Sequence, residues 1–357
     1  MSKRYAYVTI LVLLLVSMMF VFGCAADQES TEMDQSGDNG MVDGEFDPNA
    51  YFEGEVVKLI TPHSVGGGFD TYARAMAKYL DEIVPATVIV ENVHGGGGNV
   101  GRNQIYRADP DGYAIGFSGF TGMIFSELSG VEGIQYESAE FTLLARAGFE
   151  PRAISVATDS EFETIDDLIN AGREIVFAAS GVGSDDYFAG NIACDILGID
   201  SKFITAFEGS GEQVFAVIQG DCDAHTASFS THEPHYETGE LKPVLFISRE
   251  RLQDYPDIPT ILELVDSGSD EEAILKAVVN SFEAERVVFG PPNMPEEVTA
   301  YYRNAFETIF NNPNFVNELE RIGRPVQYMD GGQLEALVDE VAVVGEKHLK
   351  EMLRTYQ

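Results

Sequence analysis

Two α/β lobes facing each other across a ligand cleft are the fold class this sequence predicts, and two observations carry that reading. Apolar runs of strand length alternate with amphipathic helical stretches along most of the 357 residues. Glycine-rich loops also recur between strand and helix in both halves, at Gly66–Gly68 and Gly95–Gly98, then at Gly181–Gly183 and Gly209–Gly211. Glycine lets the backbone turn tightly and approach a ligand, and each following helix start offers unpaired N–H groups at a positive dipole end. Such loops favour an anion, although a glycine run taken alone is also an ordinary tight turn.

In chain order, Val56–Ile60 predicts the first strand, and Phe69, Tyr72, Ala73, Met76, Leu80 and Ile83 share one face of the helix after the first loop. Thr87–Val90, the loop His94–Asn99 and a helix through Val100, Ile105 and Tyr106 repeat the layout. A turn at Asp109–Gly112 leads to the strand Tyr113–Phe117 and the loop Ser118–Gly122. In a parallel sheet these loops all emerge at the carboxyl edge, where ligands bind, so Ser118 and Thr121 add hydroxyl donors and Phe120 a wall. Phe141–Ala147 is a further strand, and from Pro151 the pattern restarts: strand Ala153–Ala157, capped helix Thr164–Ile169 and strand Ile175–Ala178. Next come the loop Ser180–Asp186 with its helix to Leu197, the strand Phe203–Phe207, the loop Glu208–Glu212 and the helix Val214–Ile218. Asp223–Phe229 and Leu241–Ile247 read as strands, the latter running back toward the first lobe, and Tyr255–Thr260 as a rigid extended connector. From about residue 294 the chain reads as mostly helical, with amphipathic helices starting at Pro295 and Gln333.

The N-terminus predicts export. Lys3 and Arg4 precede an uncharged, largely apolar run from Tyr5 to Phe22, followed by Gly23-Cys24. A small residue before cysteine is similar to a bacterial lipoprotein cleavage site with Cys24 as the lipidated residue, although Phe22 is bulky for that pattern. About 18 residues also approach the minimum for a membrane-spanning anchor. Either way the body lies outside the cytoplasm. Residues 25–50 are rich in Asp, Glu, Ser and Gly without Lys or Arg, and predict a disordered acidic tether reaching on the order of 30 Å.

Fifty-nine acidic against 22 basic residues give a formal charge of -37. That excess argues against nucleic acid or an anionic membrane surface as partner and suits a salty medium, where screening shortens to about 3 Å at 1 M. The chain lacks tryptophan, and apart from Cys24 its cysteines are Cys194 and Cys222, which read as two buried thiols or one disulfide. Gly96–Gly101 fits G-x-G-x-x-G, but the next strand ends in Phe117-Ser118, where a dinucleotide site needs an acid. No glycine loop runs into Lys-Ser/Thr, so a phosphate-binding P-loop is absent. His232-Glu233-Pro234-His235 is the densest set of metal-ligand types but lacks a third ligand at usable spacing, and reads as a solvated helix start. Ser180, Ser184 and Ser210 stand outside any nucleophile elbow. The sequence predicts neither an enzyme nor a cofactor or metal.

Thr61–Asp70 followed by Ala73-Arg74, then Glu91–Gly101, then Pro110–Tyr113, resembles the substrate-binding proteins of tripartite tricarboxylate transporters, the Bug family. The likeness continues through Gly181–Ser184, Gly209–Gly211, Gly220–Asp223, Asp257–Thr260 and Gly290–Pro295, and covers residues 51–357 in order. The resemblance implies a two-domain, periplasmic-binding-protein type II fold that closes like a clam on a small organic carboxylate. It implies a clasp from Ser64, Val65, Gly66, Gly67 and Gly68 with Gly95, Gly96, Gly97, Gly98 and Asn99, acting largely through backbone amides. Ser118, Thr121, Ser184, Gly209 and Ser228 are implied as further contributors. Tyr187 stands where many relatives carry histidine and Glu208 where lysine is common, which leaves the identity of the ligand open.

The expected organisation is a lipoprotein signal peptide over 1–24, a tether over 25–50, one α/β domain from 51–150 plus 250–357, and a second from 151–249. The expected role is a monomeric, membrane-anchored receptor that hands a di- or tricarboxylate to the permease subunits of a tripartite transporter. The alternative is a sensory receptor of the same fold.

Overall fold

The structure is a computed structural model, and it describes residues 41–42 and 45–356. The expected signal peptide, Cys24 and most of the expected tether lie outside the described residues. The body starts before Tyr51: Asp47 caps a one-turn helix, Pro48–Phe52, by accepting from the Asn49 amide at 2.9 Å. Phe46 and Phe52 then pack on Tyr301, so aromatic burial draws the end of the expected tether into the body.

Eleven strands form two sheets in the body: β1 Val56–Thr61, β2 Thr87–Asn92, β3 Ala114–Ser118, β4 Thr142–Arg146, β5 Arg152–Ala157, β6 Ile175–Ala178, β7 Ser201–Ile204, β8 Ala224–Ser228, β9 Leu241–Ile247, β10 Val287–Gly290 and β11 Met329–Asp330. The first sheet has the order β11-β4-β10-β3-β1-β2 and the second β9-β5-β8-β6-β7. Both repeat one plan. In each, a parallel trio (β2-β1-β3, and β7-β6-β8 in register through Ala178 and His225) meets an antiparallel strand that arrives from the other lobe, β10 and β5 respectively. The sheets are therefore mixed rather than purely parallel. The chain crosses between lobes at 147–151 and again at 248–286, and each crossing inserts its strand into the middle of the receiving sheet.

The principal helices are α1 Gly68–Leu80, α2 Asn99–Tyr106, α3 Phe120–Ser129, α4 Ile165–Ile169, α5 Asp185–Leu197, α6 Ser210–Ile218, α7 Phe229–Glu237, α8 Asp270–Ser281, α9 Glu296–Phe310, α10 Pro313–Glu320, α11 Gly331–His348 and α12 Lys350–Leu353. Strand alternation divides the first-lobe core. Val57, Leu59, Phe117 and Val288 meet Tyr72, Met76, Tyr302 and Phe306 on one side, while Ile60, Leu143 and Phe289 meet Ile105 and Phe120 on the other.

Several expectations shift. Strand β9 stays in the second sheet, antiparallel to β5, instead of running back to the first lobe. Tyr255–Thr260 is a chain of turns, with Tyr255 and Ile258 amides donating to Leu252 and Tyr255 carbonyls, rather than an extended connector. Strand β10 and helix α8 form within a stretch the sequence left unassigned. Cys194 and Cys222 are both buried free thiols.

Phe289 shows how tightly β10 is seated. Its ring lies 4.9 Å from that of Phe141 and 6.0 Å from that of Phe120, and a Cβ on Gly116 would stand 2.7 Å from it. Phe289→Ala is expected to lower stability by about 3–5 kcal/mol, read from urea unfolding, because the emptied space is walled by rigid rings and strands. A loss below about 1 kcal/mol would contradict this packing.

Candidate functional site

The glycine loops of the two lobes meet around one cavity of about 420 Å³, within the usual range for small-molecule sites. The first lobe lines it with Pro62–Ser64, Gly67–Phe69, His94, Gly95, Gly97 and Gly98. The second contributes Ser180, Ser184–Asp186, Thr205–Ser210, Gln213, His225, Ala227, Ser228 and Thr231, and the crossings contribute Arg152 and Arg286. The starts of α1, α5 and α6 all reach this wall, so three sets of helix-start amides face one space.

Local chemistry holds the first loop. Asp70, 3% exposed, accepts from the Gly66 amide at 2.9 Å, from Arg74 Nε at 2.9 Å and from Asn92 Nδ2 at 2.9 Å. Asn92 also donates to the His63 carbonyl at 3.0 Å, which ties the loop to the end of β2. Asp70 thus straps the loop to its own helix and spends the Gly66 amide in doing so. His63 stacks on Phe69 with ring centroids 3.8 Å apart and meets Ser118 Oγ through Nε2 at 3.2 Å.

Across the cleft the lobes touch. Ser126 Oγ on α3 donates to the Gly183 carbonyl at 2.7 Å, and a Cβ on Gly97 would stand 2.6 Å from the Ser184 nitrogen. Gly97 has φ 64°, a conformation that favours glycine, so neither its backbone nor its surroundings admit a side chain.

Charge enters from the two crossings. Arg286 pairs with Glu150 and lies over the Tyr72 ring at 4.5 Å, while its Nη1 has no hydrogen-bond partner among the described residues. Its φ of 50° holds it in the strained left-handed region, and a Cβ on Gly68 would lie 3.7 Å from that free Nη1. Arg152 pairs with Asp185 and, at 3.2 Å, with Glu285. Burial works against ionisation of Asp185, yet the Arg152 guanidinium holds its carboxyl below the usual range. For Glu285 burial prevails over Arg152 and pushes the carboxyl up to about 7. Asp186 accepts from the Ser180 amide at 2.9 Å and from Gln213 Nε2 at 2.7 Å, bracing the third and fourth loops against each other.

The sequence-derived residues divide. Ser64, Gly67, Gly68, Gly95, Gly97, Gly98, Ser184, Gly209 and Ser228 stand on the cavity wall. Val65 points to solvent at 69% exposure, Gly66 is consumed by Asp70, and Gly96 and Asn99 line a separate depression beside Val131 and Gly133. Asn99 is buried and accepts from Tyr136 Oη at 2.8 Å. Phe120 is core, not cleft wall, and Thr121 donates its hydroxyl to the Ser281 carbonyl, because α3 turns both side chains inward. Ser118 reaches the cleft only through His63. Tyr187 lies off the cavity and donates to the Tyr356 carbonyl, whereas Glu208 lines it.

The helix carrying His232 starts at Phe229, and His232 is fully buried against His225 and Ser155 rather than solvated. Sequence reasoning passed over Arg152, Arg286, Gln213 and His225. A signal for the arginines existed: Glu150-Pro151-Arg152 and Glu285-Arg286 each place an acid and an arginine at the head of an apolar run, in a chain with few cations.

Two expected outcomes follow from this geometry. Burial pushes His63 and His225 down to about 3 and His232 well below its ordinary value, so all three are neutral when folded and charge on unfolding below about pH 6.5. Glu285 acts oppositely by holding a proton when folded, which leaves a net uptake of about two protons on unfolding near pH 5.5. The unfolded state binds more protons, so stability falls as pH drops from 6.5 toward 4.5. Thermal melts in about 1 M salt, which screens the acidic excess, check this, and a flat or rising Tm on acidification would contradict it. Gly97→Ala is expected to leave secondary structure intact while propping the glycine edges apart. Its small-angle scattering should report a larger radius of gyration than wild type, and identical curves would refute the contact.

Comparison with known proteins agrees with this architecture. Residues 72–352 match the model of the tripartite tricarboxylate transporter family receptor. A protein encoded in the tcbD-tcbE intergenic region of Pseudomonas sp. (strain P51) is 24% identical over 81% of this chain and 82% of its own. The periplasmic binding protein BugD superposes with a TM-score of 0.68 at 21% identity, over 82% of this chain and 97% of its own. MatC from Rhodopseudomonas palustris, solved with bound malate, gives 0.68 at 20% identity over 85% and 98%. The family match and the shared two-lobed fold show that the chain belongs to the tripartite tricarboxylate transporter receptors of the Bug type, which are solute-binding proteins and not enzymes.

Proposed function

We propose that the protein captures a small organic di- or tricarboxylate outside the cytoplasm and delivers it to the membrane subunits of a tripartite transporter. It acts as a monomer, held near the membrane through lipidated Cys24 and the acidic segment that follows. One observation carries the ligand class: the unpartnered Nη1 of buried Arg286 stands beside Gly68 at the start of α1, on the wall of the cavity. A buried guanidinium N–H without an acceptor is costly, and a carboxylate oxygen supplies that acceptor in a charge-assisted bond. The helix-start amides of α1 point to the same place and favour the same charge.

The first lobe thus grips one carboxylate through Ser64, Gly67, Gly68 and Arg286, with Gly95, Gly97 and Gly98 closing over it. The second lobe, through Ser184, Gly209 and Ser228, meets the remainder. Malate in the solved MatC structure is a ligand of this class.

The expected outcome is a rise in Tm with at least one of malate, succinate, adipate and citrate, as binding to the folded state alone requires. At a hundred times Kd the gain is about 2.7 kcal/mol. A panel in which no carboxylate shifts the melt while a neutral sugar does would overturn the reading.

A further inference from the structure

The second lobe contains a buried chain of polar groups that the carboxylate grip does not use. Tyr236 Oη on α7 meets Ser155 Oγ on β5 at 2.5 Å, and Ser155 Oγ meets His232 Nδ1 at 2.8 Å. His232 Nε2 then meets His225 Nδ1 on β8 at 2.9 Å. Both imidazoles are fully buried. The chain ends at His225 Nε2, which has no partner among the described residues, on a residue that lines the cavity level with Ala178, the last residue of β6.

Proton counting gives the chain one direction. Half-buried Tyr236 has Ser155 Oγ as its one hydrogen-bond partner among the described residues, and donation from Tyr236 Oη to Ser155 Oγ is the order that satisfies its hydroxyl within the protein. Ser155 then donates its own proton to His232 Nδ1. A neutral imidazole that accepts at Nδ1 carries its proton on Nε2, and His232 therefore donates to His225 Nδ1. The same rule places the last proton on His225 Nε2, away from His232. In the opposite order the Tyr236 proton would have no acceptor among the described residues. Burial keeps both rings neutral, pushing His225 down to about 3 and His232 further below its ordinary value.

We propose that His225 is the second lobe's ligand contact, a neutral Nε2–H donor aimed by Tyr236, Ser155 and His232, which selects ligands with a bare oxygen acceptor at the end remote from Arg286. This rests on the carboxylate reading above and narrows it to ligands with a second carboxylate or carbonyl oxygen. An ammonium in that position would face a donor and leave both groups unpaired, so amino-bearing analogues are rejected. Ser155, His232 and Tyr236 are positioning residues that act through His225.

Two experiments test the proposal. In full-length protein with 15N-labelled histidine at pH 7.5, long-range proton–nitrogen NMR should report the Nε2–H tautomer for His225, assigned by its disappearance in His225→Gln. An Nδ1–H tautomer or an imidazolium overturns the proposal. His232→Leu should mix the His225 tautomers and His232→Gln, which keeps an N–H donor, should restore them; a merely structural His232 would leave the tautomer unchanged.

Calorimetry then compares succinate with butyrate and adipate with hexanoate. His225→Phe should weaken the bound dicarboxylate about ten- to a hundredfold and leave the monocarboxylate as in wild type, with His225→Gln recovering part of the loss. Equal losses for both members of a pair overturn the role of His225 while the carboxylate reading stands. If wild-type protein binds no di- or tricarboxylate, the carboxylate reading fails and this assignment fails with it.

Discussion

The reciprocal pairing of charges at the two lobe crossings is the constraint on which the rest of this structure depends. Glu150 and Arg152 flank the first crossing, Glu285 and Arg286 the second, and each arginine finds its acid on the other crossing: Arg286 with Glu150, Arg152 with Glu285. All four are nearly inaccessible to water, so neither crossing can leave the other without exposing an uncompensated buried charge. Such pairs contribute modest net stability but penalise every other arrangement, which makes them determinants of register. They fix β5 and β10 in the middles of opposite sheets and hold two guanidinium groups at the floor of the cleft.

That arrangement resolves an apparent conflict between the protein's charge and its ligand. A formal charge of -37 repels anions at a distance, yet screening confines that field to about 8 Å at physiological salt. Inside the cleft the local terms dominate: helix starts, an unpartnered Arg286 Nη1, and carboxylates already committed to partners. Asp70, whose bare charge would oppose an anion, is neutralised by Arg74 and spends its oxygens bracing the loop. The glycine edges also touch across the cleft, Gly97 against Ser184 and Gly209 against Ser64, close to these groups.

How much was legible in the sequence depended on the range of the interaction. The strand, glycine loop and helix units were readable because periodicity and glycine act over a few residues. Strand β10 was not, since four residues buried on both faces carry no alternation. Phe120 and Thr121 followed the loop into the wrong place because the rotation of α3 against the core, not the position in sequence, decides which side chains face the cleft. His232 looked like a solvated residue beside Pro234 and Glu233, but its helix packs on the second sheet and drives that one face inward.

The sequence by itself therefore determined the class of fold, the repeated loop edges and the preference for an anion, all properties of local backbone and composition. Tertiary structure alone decided which loop amides stay free, which arginines pair across the crossings, and that His225 ends a buried chain at the cavity. Most of these are encounters between residues tens to more than a hundred positions apart, as Ser155 with His232 and Arg286 with Glu150. Their partners are chosen by burial and geometry, which leave no local trace in the order of amino acids.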